Sequence, residues 1–133
     1  MVKTILLTSK VSKPGPGRIM SQGVKASAGN LVFVSGQVAR NAQGQTVGPG
    51  DIKAQTRQAL ENVKAVLEAA GATMDDVAKV TIFLTNIKDH FNQTHEVRAE
   101  YWKKDYPAST LVEVKALASS ELLIEIEAIA VTG

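Results

Sequence analysis

At 133 residues, with 44% hydrophobic and 21% charged positions, the chain can fill one real core and is not composed like a disordered segment. Fifteen basic against thirteen acidic residues leave +2 at pH 7, too little for a nucleic-acid or anionic-membrane surface. The absence of cysteine excludes disulfides, thiolate nucleophiles and zinc-thiolate sites, and two histidines provide no metal-ligand spacing. Ile5-Leu6-Leu7 is too short for a signal-peptide core or a membrane span, so the expectation is one cytoplasmic domain over residues 1–133.

Thr4 to Thr8 reads as a strand, and Ser12-Lys13-Pro14-Gly15-Pro16-Gly17 interrupts regular structure. Strands follow over Ile19 to Ala26 and Leu31 to Val38, and Ala28-Gly29-Asn30 between them predicts a hairpin. Gly36 inside the second strand marks a bulge or a close approach to the backbone. After a polar loop, Asp51 is the expected N-cap of a helix reaching about Ala70, with Gly71 as its stop. Leu60, Val63, Val66, Leu67 and Ala70 form its predicted buried stripe, and Arg57–Glu61 and Lys64–Glu68 are spaced for pairing along the helix. Val77 to Thr85 is a β-branched strand, and a second helix is predicted over Asp89 to Lys104, with Phe91, Val97, Tyr101 and Trp102 packing. Tyr106-Pro107 ends it, and two strands close the chain.

Alternation in the last strand places Glu125 and Glu127 on one face with Ile129 and Val131, and Ile124, Ile126, Ala128 and Ala130 on the other. Two helices cover one face of a sheet, yet the strands at 31–38, 77–85 and 124–131 are apolar on both. Patterning alone therefore predicts an oligomer that buries the second face.

Pro107-Ala108-Ser109-Thr110-Leu111-Val112-Glu113-Val114, followed by Ile124-Glu125-Ile126-Glu127-Ala128-Ile129-Ala130, resembles the C-terminal signature of the Rid (reactive intermediate deaminase, YjgF-like) family. Ser21-Gln22-Gly23-Val24, Gly29 to Gln37, Gln55 to Lys64, Leu67 to Gly71 and Val80 to Leu84 extend the resemblance over nearly the whole chain. It implies an α+β fold with a mixed six-stranded sheet and two helices on one face, like the trimeric chorismate mutases. It also implies a homotrimer with small-molecule sites in the clefts between subunits, no cofactor, and hydrolysis of reactive imines or enamines with release of ammonia.

By that resemblance Glu125 is the catalytic position, and Met20, Ser35, Gly36, His95, Ser109 and Leu111 bind substrate. Ser35-Gly36 and Glu125 keep the family pattern. The deaminating branch has a tyrosine at Met20, an asparagine near His95, and at Ser109 an arginine that grips a substrate carboxylate. A charge-assisted hydrogen bond contributes about 1.5–3 kcal/mol, so its loss costs roughly tenfold to a hundredfold in rate. Three alternatives follow: the substrate lacks an α-carboxylate, another cation (Arg18 or Lys115 by sequence proximity) supplies the grip, or the chain is a non-catalytic metabolite-binding or regulatory trimer. Each position also has a structural reading: Glu125 as a register-setting pair, Gly36 as a bulge, His95 and Met20 as packing, Arg18 and Lys115 as solvated charges, Glu113 and Glu127 as structural pairs or solvent-facing groups. A ribonuclease is disfavoured, because no acid–base histidine pair and no basic groove are evident.

Overall fold

The computed structural model describes residues 3–27 and 29–133. In chain order the elements are β1 (Lys3–Leu6), β2 (Gly23–Ala26), β3 (Asn30–Val38), α1 (Ile52–Ala69), β4 (Val77–Leu84), α2 (Ile87–Tyr101), β5 (Ala108–Glu113) and β6 (Ile124–Thr132), with a 3₁₀ turn over Met74–Asp76. Four strands lie in the order β3-β6-β4-β5. β6 runs antiparallel to β3 and β4, while β4 and β5 are parallel and joined through α2. β1 and β2 form an antiparallel ribbon that meets the β5 edge through a parallel bridge between Ser21 and Ala108. The expected mixed, six-stranded α+β architecture is present, divided four and two.

The predicted hairpin between the second and third strands is not. β2 pairs with β1, Leu6 opposite Gly23, and β3 pairs with β6, Asn30 opposite Thr132. A side chain on Gly29 would run into the Thr132 carbonyl, so the chain there is held against the end of β6 rather than turned back on itself. Ala28, the first residue of the predicted turn, lies outside the described residues. The strand expected over Ile19 to Ala26 shortens to its second half.

α1 starts where Asp51 Oδ1 accepts from Ala54 N at 3.1 Å, and Gly71 takes the left-handed φ of 72° just beyond its end. α2 starts earlier than predicted, at the Asn86 cap, and Glu113 of β5 also accepts from Ile87 N at 2.9 Å. Leu60, Val63 and Leu67 of α1 and Val97 of α2 pack with Trp102 on Val80, Ile82, Leu84, Ile124, Ile126, Ala128 and Ala130. Val66 and Ala70 lie off this stripe and are exposed. The predicted pairing of Arg57 with Glu61 is replaced by a bridge to α2: Arg57 holds Glu100 through two nitrogens at 2.8 and 3.1 Å, and Lys53 meets Glu96. Lys3, at the chain start, buries its ammonium on Asp75 O and Val77 O, at 2.8 and 3.0 Å.

Among the described residues no helix lies on the opposite sheet face. Leu31, Phe33, Val112 and Ile129 stand exposed there, Phe33 at 68%. Among the described residues no helix is long and apolar enough to cross a membrane.

Gln55, fully buried on α1, stitches two loops together. Its amide nitrogen donates to Gly48 O and Glu121 O, and its oxygen accepts from Leu123 N at 2.8 Å. Gln55→Leu keeps the volume but strands three backbone groups, and a loss of about 2–4 kcal/mol is expected in urea denaturation.

Candidate functional site

Sheet parity divides the positions singled out above into two groups. Ser109 pairs with Val80, and Leu111 with Ile82, so both side chains stand on the helix-covered face. Glu125 pairs with Phe83 and stands on the open face. β5 and β3 are the two edges of the four-stranded sheet, about 14 Å apart at the usual strand spacing.

The first group lies at the β5 edge. Residues 19–21 run alongside it, fixed by Ser21 N on Pro107 O at 3.1 Å and by the Ser21 hydroxyl on Tyr106 O. Met20 is half-buried within this segment. Behind Ser109 lies Arg98 of α2, only 1% exposed. Its Nη2 donates to Ser109 Oγ at 2.9 Å and to Ile19 O at 2.8 Å. Burial lowers the guanidinium to about 10, so it remains charged at neutral pH. A cation thus does reach Ser109, and it is neither of those suggested by sequence proximity. Arg18 lies over the Phe91 ring, 5.0 Å from its centroid, and Lys115 is exposed beyond β5.

His95 lines a neighbouring cleft of about 460 Å³ with Arg18, Ile19, Phe91 and Asn92. Its ring lies 4.3 Å from that of Phe91, and Nδ1 is 3.0 Å from Phe91 O. Burial, aided by the charges of Arg98 and Arg18 and opposed by the Phe91 bond, pushes its pKa below the ordinary 6.5. The ring is therefore neutral at pH 7.

The second group lies at the other edge. Between the pairs Val34–Ala128 and Gln37–Ile126, β3 has one residue more than β6, and Ser35 and Gly36 form the bulge. A β-carbon on Gly36 would sit 2.7 Å from Glu125 Cδ, so the carboxylate rests on the bare backbone of the bulge. Gly36 is thus both bulge and close-approach residue. It also lines a cleft of about 430 Å³ with Val38, Arg40, Asn62 and Val66.

Sequence reasoning missed Arg98. Lys and Arg are mostly exposed, and position 98 shares a helix with exposed Glu96 and Glu100, so its residue type points away from burial. Its spacing from Val97 and Thr94, both buried, was the available clue.

The profile of the family described as endoribonuclease L-PSP matches residues 12–132. A RutC family protein of Pyrococcus horikoshii is 46% identical over 130 residues, 97% of this chain and 98% of that one. The 2-iminobutanoate/2-iminopropanoate deaminase of Escherichia coli is 40% identical over 133 residues, 98% of each chain. Among solved structures, the Rid-family protein YyfB of Yersinia pestis superposes with a TM-score of 0.91 at 36% identity, covering 99% of this chain and 100% of that one. TdcF of Escherichia coli with bound serine gives 0.72 at 34%, covering 98% and 99%.

Gly36→Ala is expected to displace the Glu125 carboxylate and cost about 1–3 kcal/mol, an overpacking effect. In the Glu125→Ala background the same change should cost at least about 1 kcal/mol less, as read from a double-mutant cycle in denaturant. For His95 the folded state binds the proton more weakly than the unfolded chain. Its contribution is complete above pH 6.5 and declines as pH falls through the depressed folded value. A ring-proton NMR titration should give a midpoint below 6.5, and His95→Gln should flatten the stability–pH slope in that window.

Proposed function

Because the chain belongs to the Rid (YjgF, L-PSP) family, we propose that it is an imine hydrolase, converting a small imine or its enamine tautomer to the carbonyl compound and ammonia. The observation that carries this reading is the Glu125 carboxylate held against the bare Gly36 bulge. A carboxylate so fixed can take a proton from water as the water oxygen bonds to the C=N carbon, and pass that proton to the nitrogen. The resulting carbinolamine, once protonated on nitrogen, expels ammonia and leaves C=O, so that imine and water give ketone and ammonia.

The two groups of site residues lie on opposite faces and opposite edges of one sheet, so a single copy does not bring them together. A closed ring of copies would set the open face of one against the β5 edge of the next, completing a cleft and burying Leu31, Phe33 and Ile129. Three copies is the number we propose, from the resemblance to the trimeric fold. The relative's name, 2-iminobutanoate/2-iminopropanoate deaminase, and the serine held by TdcF support a substrate of amino-acid size. The family's endoribonuclease description finds less support: one ring nitrogen of each histidine is engaged or buried, and the net charge is only +2.

Ammonia release or semicarbazone competition tests this, with imines generated in situ from both carboxylated and uncarboxylated precursors. Acceleration is expected, with kcat/KM reduced at least about a hundredfold in Glu125→Gln, the range of a lost general base. Light scattering should report three copies, and Phe33→Asp should dissociate them and abolish turnover together. No acceleration on any imine, with ligand binding retained, would leave a metabolite-binding protein without catalysis.

A further inference from the structure

His95 is fixed at one end of its ring and free at the other. Nδ1 lies 3.0 Å from the Phe91 carbonyl, which can only accept, so Nδ1 carries the proton. In the neutral ring Nε2 is then a bare lone pair. Among the described residues Nε2 enters no hydrogen bond. It is also not among the buried side-chain atoms left without a partner, which are His90 Nδ1, Thr94 Oγ1 and Arg98 Nε, so solvent reaches it. Access is through the cleft of about 460 Å³ that His95 lines, a volume that holds a small molecule. The ring is held in place, with Phe91 4.3 Å away and the Nδ1 bond lost if it turns. The charges that face it favour the base form: Arg98 on α2 and Arg18 on the preceding loop are cations. Glu96, the carboxylate of the same cleft, is taken by Lys53 at 2.6 Å. Arg18 also lines a second cleft, of about 320 Å³, together with Met20, so the His95 cleft adjoins the segment that runs beside β5.

A base of fixed tautomer facing a small cleft is equipped to move a proton, and hydrolysis through Glu125 leaves one transfer without a carrier. An enamine has to become an imine before water can add to its carbon. We propose that His95 is the catalytic base of that step, an enamine–imine tautomerase activity carried by the same chain. Nε2 takes a proton from the enamine nitrogen while water gives one to the terminal carbon, and the imidazolium returns its proton to the hydroxide so formed. One N–H bond breaks, one C–H bond forms, C=C becomes C=N, and His95 and water are regenerated. The substrate class is an enamine with a hydrogen on nitrogen, and the step makes no demand on what else the molecule carries. A His95 that only packs on Phe91 would leave such transfers at the rate of buffer.

The substrate rests on the hydrolase reading, but the proton transfer does not, so a ketone that needs no hydrolysis keeps the two apart. Removing a C3 proton from 2-oxobutanoate gives its enol, the oxygen counterpart of an enamine. In D2O with the full-length protein, NMR is expected to show C3 exchange at least about tenfold faster than in buffer alone. His95→Gln should bring exchange to within about twofold of buffer, and imidazole added to His95→Ala should restore it. The rate should rise with pH and level off above the midpoint of the His95 ring titration. Wild-type exchange in folded His95→Gln, or none above buffer in the wild type, overturns the proposal. Should neither variant fold, the wild type decides. A fixed base removes only one of the paired C3 protons, so exchange should stop at a single deuterium, and loss of both at equal rates refutes it. His95-dependent exchange with no ammonia from any imine would end the hydrolase reading alone. Ammonia release with exchange at the buffer rate would end the tautomerase alone.

Discussion

The alternation along β6 is the constraint from which most of this molecule follows. β6 is paired on both sides, so every second side chain must enter the same packed layer, and Ile124, Ile126, Ala128 and Ala130 do so beneath the two helices. The intervening set, Glu125, Glu127 and Ile129, is thereby committed to the other face. A one-residue slip would put two carboxylates into the core and four apolar side chains outside. The bulge in β3 keeps this register while bending the edge strand, and that bend lets the Glu125 carboxylate rest on Gly36.

Where periodicity and end signals agree, the sequence is an accurate guide to structure. Asp51 and Gly71 bracket α1 as expected, and the β-branched run from Val77 becomes a central strand. Strand partners were less legible. Gly29-Asn30 has hairpin chemistry, but the end of β6 competes for the same edge, and an extended pairing with β6 outweighs a local turn. The charges on α1 show the same limit. Arg57 has a carboxylate four residues along its own helix, yet takes Glu100 of α2, where two parallel bonds form.

At the candidate site, what was readable came from residue identity, and what was not came from direction. Glu125 and Gly36 stand out because a carboxylate in an apolar strand and a glycine in a β-run each need an explanation. Gly36 marks the bulge, but its contact with Glu125 also depends on the β3–β6 register, which no local rule fixes. Ser109 reads as the loss of a positive charge from β5. A guanidinium, that of Arg98, nonetheless lies one hydrogen bond from Ser109, on a neighbouring element eleven residues earlier in sequence. Comparing aligned positions registers the change on the strand and does not see an arginine that arrives from the helix.

The buried ammonium of Lys3 has a consequence for how the chain is assembled. Its two carbonyl partners lie 72 and 74 residues further along, at the join between the 3₁₀ turn and β4. The Lys3 ammonium therefore has neither of its acceptors until the chain around Val77 has been made and shaped. Contacts of such long sequence separation are closed late, against a large loop entropy. Until then β1 has β2, its antiparallel partner, to pair with, and Leu6 and the following Leu7 stay exposed even in the folded protein.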